Sequence, residues 1–189
     1  MAFLETAESQ PGLVSDLAHL KELAAGSTPL TPLECMERAQ GAASALDISA
    51  LDRARAGDAV LLWRSDASEA WLNLWWQARD TGYHDHDGSC VGVYVIEGIA
   101  RNESLVIAQP RHVREYRAGD RFALPGTGIH RMEHEPGAVT IHVYSPPIRS
   151  IGEYELENGE LRRRPVAPDE PSAASPLLLA ALKAEEGTT

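Results

Sequence analysis

The stretch GYHDHDGSC, residues 82–90, sets His84 and His86 on either side of one aspartate and between Gly82 and Gly88. Side chains two apart on a strand leave the same face, so the two imidazoles can serve one ion. Imidazole suits iron, zinc, copper or nickel, and the pair does not choose among them. Taken alone, the pair also fits a solvated polar turn. A third imidazole comes from the run that starts at Gly119-Asp120 and ends PGTGIH, in which a glycine-rich bend delivers His130 at the start of a new segment. Further on, Thr140, His142 and Tyr144 alternate with Ile141 and Val143, so on a strand the three polar groups share one face. Hydroxyl, imidazole and phenol in that order can relay a hydrogen-bond chain. The plainer reading is a half-buried strand that happens to carry them.

These groups need a scaffold, and the apolar spacing describes one. From Gly12 to about Ala56 the pattern is helical: Leu13, Leu17, Leu20 and Leu23 form one stripe, with Gly26 as its stop. Thr31-Pro32-Leu33-Glu34 starts a second helix, with Thr31 capping, Pro32 in the first helical position and Glu34 closing a capping box. A third short helix is predicted over Ile48 to Arg55. Strand-like segments then follow at Ala59–Arg64, Ala70–Gln77, Val91–Glu97, Leu105–Ala108, Val113–Arg117, Arg121–Leu124 and Val139–Tyr144, with a hairpin over Tyr154–Arg164 turning at Asn158-Gly159. No helical period separates the strands, which excludes a parallel α/β sheet. The expected organisation is a helical segment over 1–56 packing on an all-β barrel over 57–164, and a tail over 165–189 with room for one short helix.

Composition narrows the partners. The chain has 189 residues, 43% of them hydrophobic, enough for one well-buried domain. A net charge of −11 argues against nucleic acid or an anionic membrane, both of which need a basic footprint. A small molecule fits better. The start MAFLETAESQ has no basic region followed by an apolar one, and no apolar run reaches the length of a membrane span, so a soluble, cytoplasmic, monomeric protein is expected. Cys35 and Cys90 lie in different local contexts and form no disulfide framework; Cys35 is expected to be a small buried hydrophobe.

The histidine pair and the spacing Gly119, Pro125, His130 resemble the two motifs of the cupin barrels, which implies a cupin (double-stranded β-helix, jelly-roll) fold. The common cupin form adds a glutamate four or five residues after the second histidine; Cys90 and Val91 stand there. A three-histidine site resembles that of the cysteine dioxygenase family of thiol dioxygenases. HDHDGS at 84–89, IHRMEHEPGAVTIHVYSPP at 129–147 and Trp75, nine residues before His84, match that family's motifs over roughly residues 58–164. The resemblance implies Fe(II) bound by His84, His86 and His130. It also implies that Thr140, His142 and Tyr144 form the relay beside the metal, with threonine where the family has serine. The implied reaction takes a small thiol (L-cysteine, 3-mercaptopropionate or a related mercapto acid) and O2 to the sulfinate. Rival readings are a non-catalytic ligand-binding cupin and a zinc- or nickel-dependent isomerase or hydrolase.

Three departures matter. Animal members cross-link the relay tyrosine to a cysteine at the position of Val91; Cys90 is one residue off and on a strand faces the other way, so no cross-link is expected. Counting back from His84, the family's carboxylate-binding arginine falls near Asp58 or Ala59, which predicts L-cysteine as a poor substrate. Arg64 and then Arg131 are the candidate substitutes. His134, between Glu133 and Glu135, reads as a surface turn histidine.

Overall fold

A computed structural model describes Ala7 and residues 10–52, 58–105, 112–158 and 160–164. Two helices, α1 (Leu17–Ala24) and α2 (Pro32–Ser44), precede twelve strands. These are β1 (Ala59–Arg64), β2 (Glu69–Trp75), β3 (Arg79–Asp80), β4 (Tyr83–Asp85), β5 (Cys90–Glu97) and β6 (Ile99–Leu105). The second half supplies β7 (His112–Arg117), β8 (Arg121–Leu124), β9 (Ile129–His134), β10 (Ala138–Ser145), β11 (Gly152–Glu157) and β12 (Glu160–Arg164). One antiparallel sheet runs β1-β2-β10-β5-β8 and the other β12-β11-β4-β9-β6-β7, with β3 added beside β9. Two antiparallel sheets, with the chain passing repeatedly from one to the other, make the cupin barrel.

The sequence dictates how the helices meet the barrel. α2 starts where its capping box requires: Thr31 Oγ1 accepts from Glu34 N, and the Glu34 carboxylate accepts from Thr31 N. Its buried face is made of Cys35, Ala39 and Ala42, small residues that let its backbone approach the sheet. The approach is so close that a Cβ on Gly92 of β5 would lie 2.0 Å from the amide nitrogen of Met36, so only glycine fits there.

Every residue of β2 and β10 is buried, because one face of their sheet packs under the helices and the other lines the barrel. The helix-side core joins Leu20, Cys35 and Ala39 to Leu62, Leu72, Ile141 and Val143. The barrel-side core joins Trp71, Val91, Val93 and Tyr144 to Met132 and Tyr116 of the facing sheet. Truncating a fully buried member such as Leu72 or Ile141 to alanine removes packing worth about 2–5 kcal/mol.

Several sequence expectations are corrected. The first helix is shorter than its leucine spacing suggests: Asp16 caps it at His19 N, Leu13 stays outside pairing its carbonyl with Asp47 N, and Leu17 is exposed. After Asp47 the helical turn covers Ile48–Ala50 and Leu51 is already extended; residues 53–55 of the expected helix lie outside the described residues. The strand expected at Leu105–Ala108 ends at Leu105 and begins at Ile99, with 106–108 outside the described residues. The expected second strand ends at Trp75, two residues early. The hairpin turns at Asn158 with φ 51°, and its Gly159, like the 165–189 tail and the first residues of MAFLETAESQ, is outside the described set. Cys35 is the small buried residue expected of it, and it meets Cys90 where α2 meets β5: both are free thiols, with sulfurs 3.6 Å from one another. Among the described residues no helix is long and apolar enough to cross a membrane.

Candidate functional site

The histidines converge on the inner surface of the seven-stranded sheet. His84 of β4 and His130 of β9 are direct cross-strand partners, and His86 lies one residue past β4. Asp85, on the opposite face from the two histidines, fixes this bend by accepting from Asp87 N and Gly152 N. Asp87 and Gly88 then turn the chain with φ of 52° and 90°. The loop that delivers His130 leans on this turn: a Cβ on Gly126 would sit 1.9 Å from the Gly88 carbonyl oxygen, so glycine is required for the two loops to meet.

One ring nitrogen from each of His84, His86 and His130 lies within 4.8 Å of the others, and all three side chains are buried. Burial holds the three imidazoles below their ordinary pKa, with neighbouring histidines adding to the effect at His86 and His130, so they are neutral bases. Two of them have the other nitrogen committed. His84 Nδ1 lies 3.0 Å from the Gly82 carbonyl and His130 Nδ1 2.7 Å from Asn102 Oδ1, contacts that require Nδ1–H and leave each Nε2 unprotonated; His130 Nε2 faces His86 Nε2 at 3.4 Å. Asn102 is itself oriented by donating Nδ2–H to Ser104 Oγ at 2.8 Å. Metal-bound histidines are oriented by such partners, so the donor set fits a metal ion.

Facing this cluster, β10 carries the three residues expected to form the relay, and they make a hydrogen-bonded chain. Thr140 Oγ1 is 3.0 Å from His142 Nε2, and His142 Nδ1 is 3.0 Å from Tyr144 OH. The Tyr144 ring lies edge-on to His86 with centroids 5.0 Å apart. Desolvation holds His142 at about 3 and pushes the Tyr144 phenol well above its ordinary value, so an uncharged imidazole abuts a protonated phenol. Opposite Tyr144 stands Val91, whereas Cys90 pairs with Ser145 and turns its sulfur to the helix side, where it lies 3.3 Å from the Leu30 carbonyl.

The two candidate arginines part company. Arg64 lies opposite Glu69, and Glu69 opposite Tyr144, so all three side chains share the barrel face. A register shift in β1 between Leu61 and Trp63 brings this about. The Glu69 carboxylate is buried; it accepts from Arg64 Nε at 2.7 Å and from Ile148 N at 3.1 Å. Arg131 faces out of the barrel, held by Asp80 and Glu133. Asp58 is exposed beside Arg79, 3.7 Å away.

His134 corrects the sequence reading. It is 3% exposed, on the inner face of β9, and stacks on Trp75 with centroids 3.6 Å apart and planes 8° from parallel. The spacing of two between His130, Met132 and His134 carried this information, but the flanking glutamates suggested a turn. Asn102 and Glu69 gave no such signal, since each acquires meaning only from its cross-strand neighbour.

The match with known proteins agrees with this geometry. Cysteine dioxygenase type I matches residues 49–157, more than half of the chain. The chain belongs to the cysteine dioxygenase type I family. That family is one of metal-dependent enzymes, and its match spans every histidine and relay residue described above. Among solved structures, KdgF from Halomonas sp. is 20% identical over 47% of this chain and 76% of its own, with a TM-score of 0.42. Oxalate decarboxylase from Lactobacillus farciminis, in its formate complex, is 18% identical over 46% of this chain and 25% of its own, with a TM-score of 0.41. No curated protein matches the chain.

Proposed function

We propose that the protein is an iron-dependent thiol dioxygenase that converts a small mercapto acid, such as L-cysteine or 3-mercaptopropionate, to its sulfinate. The observation that carries the reading is the meeting, inside one barrel, of three neutral imidazoles with a relay ending in Tyr144. His84, His86 and His130 would hold Fe(II), which would supply the redox chemistry for adding both atoms of O2 to a thiol sulfur. Three uncharged ligands leave the ion's charge intact, which favours the thiolate over the thiol.

The chain's own groups do the rest. Tyr144, protonated and oriented by His142, offers a hydrogen bond beside His86 and fixes the approach of the reacting groups. Arg64 spends Nε on Glu69 and keeps its terminal nitrogens for a carboxylate, a use its planar fork suits. Arg64, the first substitute named from the sequence, lies on the Tyr144 face, which supports it as the group that would hold the carboxylate and keeps L-cysteine among the proposed substrates. Arg131, paired with two carboxylates, is not part of the proposed subsite.

Purified protein should contain iron and consume O2 with a carboxylate-bearing thiol. Activity that survives without O2, or with zinc or nickel in place of iron, would favour a hydrolase or isomerase instead.

A further inference from the structure

We infer that Trp75, clamped by His134, sets the direction of the hydrogen-bond chain through Thr140 and His142, and so makes Tyr144 a donor toward the metal side of the site. The inference rests on the relay reading above but concerns two residues that touch neither the proposed metal nor the thiol.

The argument is one of donors and acceptors. Trp75 Nε1 lies 3.0 Å from Thr140 Oγ1, and an indole N–H can only donate. Thr140 therefore accepts from Trp75. Its own hydroxyl hydrogen needs an acceptor, because Thr140 is fully buried and, besides the bond it accepts from Trp75, its one other side-chain hydrogen bond among the described residues is that with His142 Nε2. Thr140 thus donates to Nε2, which must be bare. The proton of the neutral His142 ring is then on Nδ1 and is donated to the Tyr144 oxygen 3.0 Å away. Tyr144 has accepted one bond and is left with its O–H to give outward. Run the other way, the chain would load Thr140 with two donors and leave its hydrogen buried without a partner. A donor-only residue at the head of the chain thereby fixes the tautomer of the middle one and the role of the last.

His134 explains why the indole stays put. Its ring lies nearly parallel on Trp75, and neither of its nitrogens has a hydrogen-bond partner among the described residues. A buried imidazole with neither nitrogen hydrogen-bonded carries a desolvation cost, so the contact its ring does make, the stack on Trp75, is what holds it in the barrel. Stacking on that face restricts rotation of the indole and keeps Nε1–H aimed at Thr140. Trp75 and His134 are positioning residues.

The test is ¹⁵N NMR of the histidines in the full-length protein, with zinc replacing any paramagnetic ion and His142 assigned by its loss in H142Q. The expected result is Nδ1–H with bare Nε2 in the wild type and a mixture of tautomers in Trp75→Phe, which keeps the stack but deletes the donor. Steady-state turnover of Trp75→Phe should fall roughly tenfold in kcat with KM nearly unchanged, as for a group that acts only in the transition state. His134→Leu should shift the tautomer in the same direction. Nε2–H in the wild type would overturn the inference even if no variant folds, and so would a Trp75→Phe tautomer identical to the wild type. A His134→Leu protein indistinguishable from wild type would overturn the clamp. If the wild type oxidises no thiol, the proposed function fails, and the tautomer still decides the inference.

Discussion

His84 and His130 face each other as direct partners across the β4–β9 ladder, each with Nδ1 held by an acceptor, and His130 Nε2 lies 3.4 Å from His86 Nε2. A pair so oriented presents its unprotonated nitrogens where a metal ion would sit. Alanine at His84, His86 or His130 should remove most of the bound iron while far-UV circular dichroism stays that of the barrel. Asn102→Ala should weaken metal retention by about 10–100-fold, the usual effect of losing an orienting partner. Iron analysis checks both, and full iron occupancy in all three histidine variants would reject the site.

Tyr144 should be unmodified. Val91 faces it, and the sulfur of Cys90 is turned across the sheet toward Cys35. Intact mass should equal that of the unmodified chain; a loss of two hydrogens mapped to a Cys90–Tyr144 peptide would contradict the strand phase.

Much of this was legible in the chain itself. The capping box of α2, β1 and β8 were readable to the residue, because capping chemistry and a short apolar run bounded by turn residues are local signals. β4, β6 and β9 were not: their residues are polar because they face a site or solvent, so the apolar alternation that marks a strand is missing. The His84–His86 pair was readable from spacing, and His130 joined it through the family resemblance of its motif. Arg64 could be named but not located, since a count along the chain assumes a fixed hairpin length, whereas register with Glu69 decides the position. His134 misled because its neighbours in sequence are acidic while its neighbour in space is Trp75.

Arg64→Ala should cost carboxylate-bearing thiols about 2–5 kcal/mol in kcat/KM, roughly 30-fold or more, and cost a carboxylate-free thiol such as cysteamine little. Glu69→Gln should cost the same substrates less, by loosening Arg64 without removing it. Equal losses for both thiol classes would show that Arg64 supports the fold and not the substrate.

Metal-free protein should lose stability as pH falls from about 7 to about 5. The five buried histidines 84, 86, 130, 134 and 142 all have lowered pKa values, His142 reaching about 3. Below their unfolded value of 6.5 the unfolded chain takes up protons that the fold refuses, so the stability present above 6.5 is lost on acidification. Each such histidine contributes up to roughly 1.4 kcal/mol per pH unit within that window. Urea midpoints at several pH values check this; a flat profile between about pH 7 and pH 5 would mean that the histidines are not buried as described.

The most direct measurement of the central claim is turnover of 3-mercaptopropionate and L-cysteine under ¹⁸O2, with iron-loaded protein and mass analysis of the product. The account expects one O2 consumed per thiol and a sulfinate carrying the label in both oxygens. A disulfide product, a sulfinate with oxygen from water, or no oxygen uptake with either thiol would contradict it.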